Sequence, residues 1–280
     1  MYQRRNESVP QDHAKETKFP ASISIGELLK AGKLIKPKPK EQVVLQLEQF
    51  DVKTSEWHQM PKLELAVQTT NFASGAFRDA YKCEAINEQG TKKVWVVKTY
   101  NDRANTTITD DLLSSVENHT RKQVQMHEVA RHLSKGFSLK VPTEFGKCLS
   151  YNHVFYTKYK DVPATVEEFI PGTFMKYVNN DGNRTIPPEA SSNECKEVYA
   201  KAETLVHYSY CATNKKMMIM DIQGSMYHLY DPEIATESLQ DVGEDEIYFC
   251  CGNLASIGIK AFLDEHTCNK YCNMMGLPME

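Results

Sequence analysis

The pattern of apolar and polar positions changes period along this chain. From Gln42 to Tyr100 it alternates as β-strands do: Val43–Leu47, Leu63–Val67, Tyr81–Ala85 and, most strongly, Thr91–Tyr100. Ala73-Ser74-Gly75-Ala76 reads as a small-residue turn, and Asn87–Gly90 as the polar turn of a hairpin. Between Asp110 and Ser134 the apolar positions Val116, Val124, Met126, Val129, Ala130 and Leu133 move to helical spacing, in one helix or a broken one. Val154–Tyr159 and Ala164–Ile170 alternate again, and Pro171-Gly172 ends the second strand. Glu194–Ser209 is a helix with Val198, Ala202, Leu205 and Val206 turned inward, and a terminal helix is expected from Leu254 to Cys272. A β-rich front, a mixed middle and a helical back predict an α+β domain of two lobes with a cleft between them.

The ends and joints follow from composition. Residues 1–20 are polar and read as a disordered leader, and Ser22–Lys33 as a short helix stopped by Gly32. Two lysine-proline pairs in Lys36–Lys40 make an extended connector. Across 280 residues the net charge is −4, which gives no general case for binding nucleic acid. No apolar run reaches the roughly 20 residues that span a bilayer, and the first residues lack a signal-peptide core, so a cytoplasmic protein is expected. In that compartment the eight cysteines fit thiols or metal ligands better than disulfides.

Four stretches carry chemistry. In Met217–Asp231 an apolar run climbs to Asp221, Gln223 follows, Gly224 breaks the run, and Asp231 comes after a short return. Read as strand, turn and strand, it places Asp221 and Gln223 on one face with Asp231 beside them: a hard-oxygen site for Mg²⁺ and an anionic substrate, or simply a half-buried hairpin with solvated acids. Phe72–Arg78 is a turn that lets backbone N–H groups approach phosphates, with Arg78 and the strand residue Lys98 supplying charge. The same residues also fit a rim hairpin. His266-Thr-Cys268-Asn-Lys-Tyr-Cys272 places three zinc-type ligands within two helical turns, which a histidine such as His207 would complete as a closed structural site. Gly252–Gly258 enters the last helix and could bind an anion or a peptide, or merely start that helix.

Taken in order, these pieces resemble the atypical alpha-kinase family, which includes kinases of elongation factor 2 and myosin heavy chain and the kinase domains of some TRP channels. The matching residues run from about Phe72 to Pro278. They are Phe72–Arg78, Val96-Val-Lys98, Val166–Gly172 with Lys176-Tyr177, His207–Tyr210, Asp221-Ile-Gln223-Gly, Asp231-Pro, Gly252-Asn-Leu254 and His266–Cys272. The spacing of 14 positions from His207 to Asp221 and 10 from Asp221 to Asp231 makes the set specific.

The resemblance implies a two-lobed, protein-kinase-like α+β fold with a β-rich N-lobe and a mixed C-lobe held by a structural zinc. The catalytic domain would span 61–280, with lobes of about 61–165 and 166–280, and residues 21–60 would form an N-terminal extension. It further implies an ATP- and Mg²⁺-dependent serine/threonine kinase acting on a protein substrate. Lys98 would contact the ATP phosphates, with Arg78 and Gly75 assisting from the loop. Glu167 would lie against the adenine, Asp221 would orient or deprotonate the acceptor hydroxyl, and Gln223 and Asp231 would hold Mg²⁺. His207, His266, Cys268 and Cys272 would bind zinc, and the Gly252–Gly258 loop would meet the substrate. Two departures stand out: Ala255 takes a glycine position that is strained if its φ is positive, and Asn101–Thr120 aligns poorly, leaving no acidic partner assigned to Lys98 in the following helix. The alternative these departures raise is an ATP- and zinc-binding module without transfer.

Overall fold

Alternation along Arg78–Ile86 (β6) and Lys92–Tyr100 (β7) sorts their side chains onto two sheet faces, and that division organises the molecule. The computed structural model describes residues 25, 26, 29, 32, 38–86, 90–240 and 247–278. The chain divides into Met1–Lys38 and Pro39–Glu280. The expected leader, the Asn87–Gln89 turn and most of the Ser22–Lys33 helix lie outside the described residues, although Ile25, Gly26 and Leu29 have helical backbone.

In the larger unit Lys40–Leu45 (β1), Glu48–Asp51 (β2), Glu56–Gln59 (β3), Leu63–Gln68 (β4), Ala73–Ser74 (β5), Val154–Tyr159 (β9) and Val162–Glu168 (β10) join β6 and β7 in one antiparallel sheet. Its order is β1-β4-β6-β7-β10-β9-β2-β3, with β5 on β6. One face carries Val97, Val166, Cys83 and Ala164 into a core with Leu65 and Val67. The opposite face presents Arg78, Ala80, Val96, Lys98, Tyr100 and Glu167 to a cavity. The register accounts for this grouping, because Ala80 and Thr165 flank Lys98 while Val96 lies opposite Glu167.

The β2–β3 hairpin was not among the sequence expectations. The Arg121 guanidinium lies 4.7 Å from the ring centre of its Trp57 and 4.0 Å from that of the β9 residue Tyr156, two rings that meet edge to face, while Glu48 accepts from both terminal Arg121 nitrogens at 3.0 and 3.2 Å. The short hairpin holds its place by these Arg121 contacts and by the single buried Phe50, which packs with Val124 and Tyr156, not by an apolar alternation legible in advance.

The mixed lobe forms around Val116–Lys140 (α2) and Asn193–Ala212 (α3), which bury Met126, Ala130, Phe137, Val198, Leu205 and Val206 in a second, larger core. The helical spacing expected over Asp110–Ser134 takes the broken form: a short helix, Asp102–Thr106 (α1), and a π-turn, Thr107–Asp111, precede α2, which starts behind its Ser115 cap. The terminal helix is likewise two, Ala255–Glu265 (α4) and Lys270–Met274 (α5). It breaks at His266, and Asn269 caps the new start by accepting from Tyr271 and Cys272 N–H.

His119, on α2, is buried edge-on to the Tyr100 ring, and its Nε2 has no hydrogen-bond partner among the described residues. Burial, helped by Lys122 and Arg78, pushes its pKa down to about 4. An unfolded histidine titrates near 6.5, so the unfolded chain takes up a proton that the folded chain refuses between those values. His119 therefore withdraws up to about 3 kcal/mol of stability as pH falls from 6.5 to 4, and none above 6.5. His119→Phe, which keeps the ring contact, is expected to flatten the denaturant midpoint of unfolding across that range. Equal slopes in both proteins would refute this.

Candidate active site

The Met217–Asp231 stretch does not fold as one hairpin: only its second half does. Met217–Met220 (β12) pairs with Glu233–Thr236 (β15), whereas Gln223–Ser225 (β13) pairs with Met175–Lys176 (β11) and His228–Leu229 (β14) in a different sheet. The chain changes sheets at Asp221, whose φ is +51°, and again at Asp231, also +51°. Aspartate tolerates this left-handed backbone better than β-branched or bulky residues do, and the two kinks aim both carboxylates off the ladders. Strand alternation is therefore the wrong reason for Asp221 and Gln223 to share a site. Gln223 is instead tied to Asp231, whose carbonyl accepts from Gln223 Nε2 at 3.1 Å, and Asp221 lines the same cavity from the kink that precedes it.

These residues and the polar sheet face enclose one cavity of about 890 Å³, lined by Gly75, Arg78, Lys98, Glu167, Asp221, Gln223 and Asp231 together with Lys176 and Glu233. Arg78 Nη2 reaches Asp231 Oδ1 at 2.5 Å, and its other terminal nitrogen faces Thr165 Oγ1 at 3.5 Å. Lys98 Nζ lies 2.7 Å from Asp231 Oδ2 and also pairs with the Glu167 carboxylate. Burial alone would raise the Asp231 carboxyl, but Arg78 and Lys98 outweigh it and hold the group far below the usual range.

Deeper in the lobe Lys176 Nζ pairs with Asp221 Oδ1 at 2.6 Å. Burial raises the Asp221 pKa and Lys176 opposes that only in part. A carboxylate made more basic beside a lysine is suited to hold or accept a hydroxyl proton. Glu233 lies against Gly252, where any Cβ would overlap its carboxylate, and burial pushes its pKa up to about 8. Sequence reasoning gave neither Lys176 nor Glu233 a part. Lys176 had a signal, since it stood in the matched Lys176-Tyr177 pair, whereas Glu233 is made visible only by the close approach of Gly252.

The acidic partner of Lys98 comes from the neighbouring strand as Glu167, not from the helix after the insert. The buried acid of that helix, Glu128, is held by Arg131 at 2.8 Å and by His153 at 3.3 Å. At the cavity rim Asn180 donates to the Gly252 carbonyl at 2.8 Å, bringing two loops together. Ala255 has φ +48°, so the strained backbone foreseen for that position is present. It is tolerated because buried Asn253 accepts from both Ala255 N–H (2.9 Å) and Thr236 N–H (3.1 Å), pinning the turn to β15.

A second cluster lies away from the cavity. One donor atom from each of His207, His266, Cys268 and Cys272 falls within 4.8 Å of the others. His207 Nδ1 is 3.7 Å from Cys268 Sγ, and His266 Nε2 is 3.5 Å from Cys272 Sγ. A tetrahedral zinc spaces its ligands by roughly 3.5 Å, so the donor set fits one ion. The far nitrogen of His266 lies 3.5 Å from a Glu203 carboxylate oxygen without a hydrogen bond between them. Only Cys272 of the C-terminal ligands is helical. The break at His266 lets the other two turn toward α3, which a continuous helix would not allow.

Comparison with known proteins agrees with this geometry. Over 236 residues the chain is 27% identical to alpha-protein kinase 1 of Dictyostelium discoideum, covering 81% of this chain and 15% of that protein. It is 28% identical over 227 residues to myosin heavy chain kinase B of the same organism, covering 80% of this chain and 27% of that one. The chain thus spans under a third of the length of these relatives. The solved alpha-kinase domain of myosin heavy chain kinase A in complex with AMP superposes with a TM-score of 0.67, covering 85% of this chain and 100% of that one. At 21% identity this shows a shared fold alone. The alpha-kinase family model matches residues 73–272, a span that holds the cavity residues Arg78, Lys98, Asp221 and Asp231 and the four-residue cluster, and on that match the chain belongs to the alpha-kinase family.

Proposed function

We propose that this chain is an ATP-dependent protein serine/threonine kinase, its catalytic domain lying within about 61–280. The observation that carries the reading is the convergence of Arg78, Lys98, Asp221, Gln223 and Asp231 on one cavity from strands and loops distant in sequence. Phosphoryl transfer asks a protein mainly to position two oxygens and neutralise phosphate charge, and these groups suit both tasks.

Lys98 and Arg78 exchange Asp231 for phosphate oxygens, and the Gly75 turn offers backbone amides. Glu167 keeps the Lys98 ammonium aimed into the cavity from beneath, with its strand against the adenine. Asp231 and Gln223 are the oxygen donors for Mg²⁺, which shields the phosphates. Gln223 uses its amide N–H on the Asp231 carbonyl, so Oε1 is the atom it offers. Asp221, with its raised pKa, orients the acceptor hydroxyl and takes its proton. Lys176, already 2.6 Å from Asp221, stands where the transferring phosphoryl group passes. The loop from Gly252 to Gly258, at the rim, meets the protein substrate.

His207, His266, Cys268 and Cys272 hold a structural zinc: four protein ligands leave no open position for chemistry. No described helix is long and apolar enough to cross a membrane. A cytoplasmic location is part of the same proposal, and the net charge of −4 favours no nucleic-acid partner.

With Mg²⁺ and ATP labelled at the γ-phosphate, the chain is expected to label serine or threonine in a basic acceptor protein. Asp221→Asn is expected to lose the label by about two to three orders of magnitude while keeping its affinity for nucleotide. A variant that transfers normally would remove Asp221 from the mechanism. A wild-type chain that binds ATP without any transfer would instead be a nucleotide- and zinc-binding module.

A further inference from the structure

The segment that follows Lys98 touches the turn at the cavity's edge. Asn101 makes three kinds of contact there. Its backbone N–H donates to the Phe77 carbonyl at 2.9 Å, extending the β6–β7 ladder by one bond. Its side-chain Nδ2 lies 3.5 Å from the Gly75 carbonyl and 3.4 Å from that of Ala76. Its Oδ1 accepts from Ala104 N–H at 2.9 Å and so caps α1. One residue therefore joins the start of a helix to three successive carbonyls of the turn.

The anchor itself is firm. Ala104 and Ile108 of the α1 and π-turn insert are buried against Tyr100, with Val116 packed beside them. The two side-chain bonds are longer than ordinary N–H···O bonds, so the backbone bond sets the register and the amide adds orientation.

Orientation is what an anion-binding turn needs. A peptide unit is planar, and its carbonyl and the following N–H point to opposite sides. Holding the Gly75 and Ala76 carbonyls on Asn101 turns the N–H groups of Ala76 and Phe77 the other way, toward the cavity that Gly75, Ala76 and Phe77 line. Successive N–H groups facing one concavity form a nest for phosphate oxygens. We propose that Asn101 is a positioning residue for phosphoryl transfer, aiming the amides of the Gly75–Phe77 turn at the nucleotide's phosphates. This rests on the nucleotide-binding reading above and adds a residue that contacts neither nucleotide nor acceptor.

Asn101→Ser separates the roles of the side chain, because serine caps a helix but has no amide to hold the carbonyls. Binding of Mg²⁺–AMP-PNP and of adenosine would be measured by calorimetry. The expected result is a roughly fivefold to tenfold weaker Kd for the triphosphate analogue with adenosine unchanged. KM for ATP should rise more than kcat falls, and hydrogen exchange at residues 74–77 of the unliganded protein should quicken. Asn101→Asp keeps size and cap but sets an acceptor against two carbonyls, and is expected to lose at least as much. It serves where the serine variant does not fold.

Triphosphate affinity within twofold of wild type in either folded variant would overturn the proposal. So would an equal loss for adenosine, which would mean a general structural role. A wild-type chain that binds neither ligand would sink the nucleotide reading together with this one, so the two failures are told apart.

Discussion

Lys98→Met is expected to lower phosphoryl transfer by about two to three orders of magnitude and also to destabilise the fold, through one missing charge. The lysine side chain is 11% exposed and that of Glu167 7%, so the variant leaves a buried carboxylate facing a second one at Asp231 with no ammonium between them. Removing one partner of a buried pair costs about 3–5 kcal/mol, mostly as the desolvation of what remains. Relief should come from the other side. Lys98→Met with Glu167→Gln is expected to regain much of the lost melting temperature while transfer stays absent, because nothing then meets the phosphates. Thermal melts and label transfer on the four proteins of this cycle separate the two effects. Wild-type transfer in Lys98→Met would remove the lysine from catalysis. Failure of Glu167→Gln to restore stability would show that the pair is not what the fold loses.

The second large effect concerns the four-ligand cluster. Stripping the protein with a strong chelator, or replacing Cys272 with Ser, is expected to lower the melting temperature by ten degrees or more, since structural zinc contributes on the order of 10 kcal/mol in small domains and a part of that here. The reason is local. Cys272 is fully buried beside Thr204, with Thr204 Oγ1 3.4 Å from its sulfur, and α5 is only five residues long, too short to persist without something fixing it to α3. Elemental analysis should find one zinc per chain before stripping and none after. An unchanged melt with no zinc in the native protein would refute the site.

These two sites were legible in the sequence to different degrees. The four-residue His/Cys cluster was readable as composition and spacing, but not the helix break that shapes it. Three candidate ligands expected within two turns of one helix are spread over a break and a new helix, because the first helix ends at His266 and Asn269 caps the start of the next. In the cavity the residues singled out in the sequence do come together, but not through the strand alternation that suggested it. Asp221 is the left-handed residue at which the chain leaves β12 for the separate sheet that holds Gln223, so no continuous strand carries both. Ala255 shows the reverse: a residue-level conflict visible in the sequence persists as a positive φ in the fold.

What the sequence determined by itself was local: the strand period that puts Lys98 and Val96 on one face, the helical spacing of α3, the small-residue turn, and an ordered set of motifs specific enough to indicate a family. Such properties depend on neighbours a few residues away, where periodicity and turn chemistry act. What only the tertiary structure decided was pairing: Glu167 rather than a helix acid against Lys98, Lys176 against Asp221, Glu233 under Gly252, and Asn101 behind the Gly75 turn. Each of these joins residues that periodicity does not relate, and which carboxylate reaches which cation is settled by sheet register and loop closure.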